Sequence, residues 1–103
     1  MKKMANYSTD GMRVAHGTAE GQQTVSVSTS SAATSNAIGS DTCVVYASVE
    51  CFAVAGDNPT ATVAAGTPIP ANGLIRLYGL QPADKLAFIA ASGSGSAYVR
   101  PGA

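Results

Sequence analysis

Any chemistry this chain performs has to come from a short set of side chains. A serine hydrolase needs a nucleophile, a base and a group that orients the base. The chain has one histidine, His16, inside a polar, glycine-spaced stretch that reads as an arm. Ser94, in Gly93-Ser94-Gly95, reads as a hairpin turn between two β runs, whereas a nucleophile elbow joins a strand to a helix. Asp41, Glu50, Asp57 and Asp84 are the candidates for a glycosidase-type carboxylate pair. The three aspartates fall in loops, where Asp commonly caps its own turn, and Glu50 opens a strand; no spacing couples two of them. Gly93-Ser94-Gly95-Ser96 is a poor phosphate cradle, because such cradles lead into a helix N-terminus and here a strand follows.

Cys43 and Cys51 are the only cysteines. Two thiols and one distant histidine are too few for a metal site. The default reading is two buried thiols acting as small apolar residues. If residues 43–47 and 50–54 form a hairpin turning at Ser48-Val49, Cys51 lies opposite Tyr46 and Cys43 opposite Val54. A three-residue turn centred on Ala47 would instead set the cysteines face to face, so a disulfide stays open as an alternative. The expectation is a protein with no catalytic, cofactor or metal residues and no small-molecule substrate.

Tyrosine and arginine offer a different chemistry, that of contact. On strand parity Tyr78 shares a face with Arg76, and Tyr98 with Arg100. Such residues commonly populate an ordinary solvent face of a sheet; they are also enriched at protein–protein hot spots. The candidate interface residues are Tyr46, Arg76, Tyr78, Tyr98 and Arg100 on strands, with Tyr7, Met12 and Arg13 in the arm. A glycan-binding role for the strand tyrosines is the reading from another class. Asn6-Tyr7-Ser8 matches a glycosylation sequon, which has meaning only with export.

The elements that must position these residues are β-strands. Gln23-Thr24-Val25-Ser26-Val27-Ser28 alternates strictly, valines on one face and hydroxyls on the other. Residues 30–36 read either as loop or as a weak strand with Ala33 and Ala37 inward. Cys43-Val44-Val45-Tyr46-Ala47 and Glu50-Cys51-Phe52-Ala53-Val54 are close enough to read as a hairpin. Gly56-Asp57-Asn58-Pro59 is a turn, residues 60–65 a soft Ala-rich segment, and Thr67-Pro68-Ile69-Pro70 extended. Leu74-Ile75-Arg76-Leu77-Tyr78 follows, with Ile75 and Leu77 facing opposite to Arg76. Residues 85–91 read as a strand buried on both faces, and Ala97-Tyr98-Val99-Arg100 as the last, stopped by Pro101. Seven or eight strands at spacings of about ten residues, with no helical period, predict an all-β domain. The predicted fold is a single antiparallel β-sandwich or small barrel, jelly-roll-like, over residues 21–103, preceded by an extended N-terminal arm over residues 1–20.

Composition bounds the function. The 103 residues carry six Lys/Arg and six Asp/Glu, so net charge is zero, and charged residues make up only 12%. The sequence pI is near 6.5. That balance argues against nucleic acid as a partner, which requires a clustered basic surface. No stretch approaches the ~20 apolar residues that span a bilayer, so no membrane is expected. Met1-Lys2-Lys3-Met4 has the charges of a signal peptide but no apolar run follows, which predicts synthesis in the cytoplasm. Hydrophobic residues reach 46% with four Tyr, two Phe and no Trp, so the core is thin. A surface this poor in charge tends to meet other protein.

The order of features over residues 43–103 carries a resemblance. It runs through Phe52-Ala53-Val54-Ala55-Gly56-Asp57-Asn58-Pro59-Thr60-Ala61, Thr67-Pro68-Ile69-Pro70-Ala71-Asn72-Gly73, Lys85-Leu86-Ala87-Phe88-Ile89-Ala90-Ala91 and Gly93-Ser94-Gly95-Ser96-Ala97-Tyr98-Val99-Arg100-Pro101-Gly102. The chain here resembles the small β-rich virion structural proteins of tailed bacteriophages. The resemblance implies a non-enzymatic capsid decoration (cement) protein on the virion surface, made in the host cytoplasm. Its partners would be the major capsid protein and copies of itself, as a dimer or trimer. The arm would lie along a neighbouring subunit or the capsid floor. A head–tail connector or tail component is the same structural class at another address.

Overall fold

The computed structural model describes residues 21–102; Tyr7, Met12, Arg13, His16 and the expected arm lie outside the described residues. Eight strands follow in order: β1 (Gln23–Val27), β2 (Ala32–Ala33), β3 (Cys43–Ala47), β4 (Cys51–Gly56), β5 (Thr67–Ile69), β6 (Leu74–Leu77), β7 (Lys85–Ile89) and β8 (Gly95–Pro101). Among the described residues there is no helix. The strands form two four-stranded antiparallel sheets, one ordered β1-β8-β3-β6 and the other β2-β7-β4-β5. Pairing is nested, first strand with last, second with seventh, third with sixth and fourth with fifth. The arrangement is sandwich-like, with two separate sheets rather than one closed barrel.

One core lies between the sheets. Period-two alternation sends Val25, Val27, Cys43, Val45, Ala47, Ala97 and Val99 inward from the first sheet. They meet Cys51, Ala53, Ile69, Leu86 and Phe88 from the second, with Ile38, Leu80 and Ala90 closing the ends. Phe88 is the largest side chain fully inside, and twelve of the fifteen residues of the core cluster are Val, Ala, Ile or Leu.

Three expectations need correction. Residues 43–47 and 50–54 do not form a hairpin: β3 and β4 belong to different sheets. Tight two-residue hairpins want glycine or asparagine at positive φ, and Ser48-Val49 supplies a β-branched residue instead. The chain crosses between sheets there, pinned to β8 where Ser48 N–H donates to the Ser96 carbonyl at 2.9 Å and Ser96 N–H to Ser48 Oγ at 3.0 Å. Gly95 makes room for the crossing, because a Cβ there would fall 2.6 Å from Ser48 Oγ and 2.8 Å from Val49 Cγ1.

Second, Ala33 and Ala37 point outward and are exposed, while Thr34 and Ile38 are buried and Ala32 is half-buried. Thr34 decides that register. Its N–H donates to the Leu86 carbonyl at 2.8 Å, and its hydroxyl accepts from Leu86 N–H at 3.2 Å and donates to the Asn36 carbonyl at 3.0 Å. Third, residues 60–65 are not a loose connection. Ala61 is 2% exposed and donates its N–H to Ser31 Oγ, beside β2, at 2.8 Å. Gly66 returns so close to β4 that a Cβ would sit 2.6 Å from Phe52 Cβ. Residues 57–66 thus form a strap across the outer face of the second sheet. That strap explains why Ala87, at an outward position of β7, is fully buried, and why this strand read as buried on both faces.

Candidate interaction surface

With one outer face strapped, the other is open. The register of the first sheet aligns its outward side chains in rows. Thr24 stands opposite Tyr98, Tyr98 opposite Tyr46, and Tyr46 opposite Leu74. One step along the strands, Arg100 faces Val44 and Val44 faces Arg76. Four of the expected interface residues, Tyr46, Arg76, Tyr98 and Arg100, are thereby brought to one face. Tyr78 follows the last residue of β6 and is 70% exposed.

The centre of this face is aromatic and ordered. The Tyr46 and Tyr98 rings stack with centroids 6.2 Å apart and planes at 29°, an offset arrangement within the favourable range for ring pairs. Both stay open to solvent, at 36% and 41% exposure. The Tyr46 hydroxyl donates to Asn72 Oδ1 at 3.1 Å. Asn72 is held in turn: its N–H donates to the Ala47 carbonyl at 2.7 Å, and its φ of 59° is a left-handed conformation that asparagine accepts more readily than most residues. A turn residue between β5 and β6 therefore fixes the orientation of a tyrosine on β3.

Around the rings the face is apolar and cationic. Leu74 is 48% exposed, whereas Val44 is only 5% exposed although it points outward. The long side chains of Arg76 and Arg100 flank Val44 on the neighbouring strands, and arginine stems commonly shield apolar surface in this way. No carboxylate occupies an outward position on these four strands. The residues of this face that the sequence reading did not single out are Leu74, Val44 and Asn72. Parity with Arg76 places Leu74 on the same face, and that signal was readable; Asn72 needed the tertiary structure.

The other candidate groups stay apart. Ser94 is exposed in the bend before β8, and Asp41, Glu50 and Asp57 are exposed at separate turns. Asp84 caps its own turn, its Oδ2 accepting from Gln81 N–H at 3.0 Å. Among the described residues no three His, Cys, Asp or Glu side chains converge. Cys43 and Cys51 are free, buried thiols on opposite sheets. Burial pushes the Cys43 thiol up to about 11, and burial with the nearby Glu50 charge raises Cys51. A thiol held protonated is a poor nucleophile, so both serve as core filling. Comparison of the chain with protein-family models, curated proteins and solved structures returns no match.

Proposed function

We propose that this chain is a non-enzymatic structural protein of a tailed-phage virion. In this reading it is a capsid decoration protein that docks on the head and braces neighbouring major capsid subunits. The observation that carries the reading is the asymmetry of the two outer faces: one is partly covered by the chain's own residues 57–66, the other presents stacked tyrosines, an exposed leucine and two arginines. Tyrosine and arginine at the centre of a neutral molecule are the side chains that anchor protein interfaces. The nested strand order supports a jelly roll, an architecture used by viral shell proteins as well as by lectins and cupins. The order of features over residues 43–103 supports the phage address.

The test is copy number in purified particles, by quantitative mass spectrometry against the most abundant shell protein. A simple whole-number ratio is expected. A handful of copies per particle would move the protein to the neck or tail, and absence from particles would remove the virion reading. A second reading is favoured by one observation, the solvent-open tyrosine pair beside Asn72, which suits the apolar face of a sugar. With no Trp in the chain, glycan binding there would change tyrosine fluorescence, and docking on protein alone would leave it unmoved by sugars.

A further inference from the structure

The hydrogen-bond pattern of the first sheet fixes which backbone groups its edge strand offers outward. Gly102 N–H donates to the Thr42 carbonyl, and Ser48 N–H to the Ser96 carbonyl. With the β3–β8 register, these bonds make the even-numbered residues of β8 the ones that bond β3. The odd-numbered residues of β8 therefore bond β1, through the Gln23–Val99 and Val25–Ala97 pairs. The N–H and C=O of Thr24 and Ser26 consequently face away from the sheet. Among the described residues no hydrogen bond reaches these four groups.

The other three edge strands carry features that discourage pairing. β5 contains Pro68, β2 has two residues, and β6 is short with a cation, Arg76, near its centre. β1 has five residues, no proline and no charge. Both its ends are tied to the fold, so its line is fixed. Gln23 Nε2 donates to the Asn36 carbonyl at 2.9 Å and Gln23 Oε1 accepts from Asn36 N–H at 3.0 Å; the Ser28 carbonyl accepts from Ala90 N–H at 2.8 Å.

We propose that β1 is a self-association edge, at which two copies of this chain pair antiparallel about a two-fold axis at Val25. Pairing must set inward residues opposite inward ones, which limits the register to steps of two. Centred on Val25, Val25 meets the second copy's Val25 on the inner side, and Thr24 meets Ser26 on the outer side, a hydroxyl pair suited to cross-strand contact. Shifting the centre to Thr24 sets Gln23, whose amide is committed to Asn36, against Val25. Shifting it to Ser26 calls on the Ser28 carbonyl, which already accepts from Ala90.

Self-complementarity favours a second copy as the occupant: β1 is uncharged, and centred on Val25 it sets apolar against apolar and hydroxyl against hydroxyl. Pairing through β1 lays the tyrosine rows of two copies side by side on one continuous sheet. The pairing itself stands on the edge geometry, so it can fail while the docking reading survives.

Sedimentation equilibrium of the full chain tests it. A monomer–dimer equilibrium is expected. Thr24→Pro removes an outward N–H without touching the β8 ladder, and Ser26→Lys places a charge at the seam. Each should raise the dissociation constant at least about tenfold while the circular dichroism spectrum is retained. Should Thr24→Pro fail to fold, Ser26→Lys carries the test alone. Register is read by mixing T24C and S26C chains under mild oxidation, because hydrogen-bonded partners sit at about 5.5 Å, within disulfide reach. The 24–26 cross-link should dominate over either homodimer. A monomer at every concentration, a dimer unaffected by folded variants, or predominant 24–24 or 26–26 cross-links would overturn the proposal. Particle copy number is read separately, so a monomer that still decorates particles leaves the docking reading standing.

Discussion

Thr34 is the one polar side chain buried among the described residues, and it shows how a single hydroxyl can set a register. Its Oγ1 takes the Leu86 N–H and gives its own proton to the Asn36 carbonyl, so it replaces ladder bonds where β2 ends after two residues. Thr34→Val keeps the shape and removes both bonds, leaving a buried N–H and a carbonyl without that partner. A loss of about 1–3 kcal/mol in unfolding free energy is expected, read by urea denaturation. Thr34→Ser should restore most of it. A Thr34→Val protein as stable as the parent would mean that water or a shifted backbone satisfies those groups. The cysteines illustrate the opposite case: buried, protonated and apart, they supply volume and no chemistry.

At the scale of elements, the strands were legible and their partners were not. Alternation in residues 23–28, the Val-Val-Tyr run within 43–47, the apolar run within 85–89, and turn residues at 56–59 and 71–73 each reflect local stereochemistry, and the strands lie on those runs with the turns between or beside them. Sheet membership depends on which connections cross, and nearness in sequence suggested a hairpin at Ser48-Val49 that does not form. The missing glycine or asparagine was the readable warning. The strap was less legible, since an Ala-rich run has no period, and only the burial of Ala61 and Ala87 reveals its seat. Tyrosine and arginine parity, by contrast, placed Tyr46, Arg76, Tyr98 and Arg100 on strands whose register then brought them together. The β3–β4 crossing makes a specific demand. Gly95→Ala pushes a methyl into Ser48 and Val49 at under 3 Å, and overpacking of this kind costs about 1–3 kcal/mol. Thermal melts of Gly95→Ala beside Gly93→Ala would separate sterics from conformation. A Cβ at Gly93 meets nothing within 4 Å, and that glycine has a φ of 78°, so any loss there comes from backbone strain.

For the whole molecule, the decisive feature is that two similar sheets have unlike outer faces. A sandwich with both faces polar would need no partner; this one covers one face with its own chain and leaves aromatic rings and a leucine on the other. If that open face docks on a shell, binding energy should concentrate in its centre, where ring area is large and side-chain entropy already restricted by the Tyr46–Asn72 bond and the ring stack. Tyr98→Ala should therefore weaken binding to particles lacking the protein by at least about thirtyfold, the equivalent of a hot-spot loss near 2 kcal/mol. Its melting temperature should shift little, because Tyr98 is not part of the inter-sheet core. Val63→Ser supplies the control. Val63 is 43% exposed on the strap side of the molecule, so removing its apolar surface should leave particle binding unchanged. Equal losses from both substitutions would mean that binding does not concentrate on the tyrosine face. Loss from Val63→Ser alone would reverse the assignment of the two faces altogether, and the strap would then be part of the docking surface rather than its counterpart.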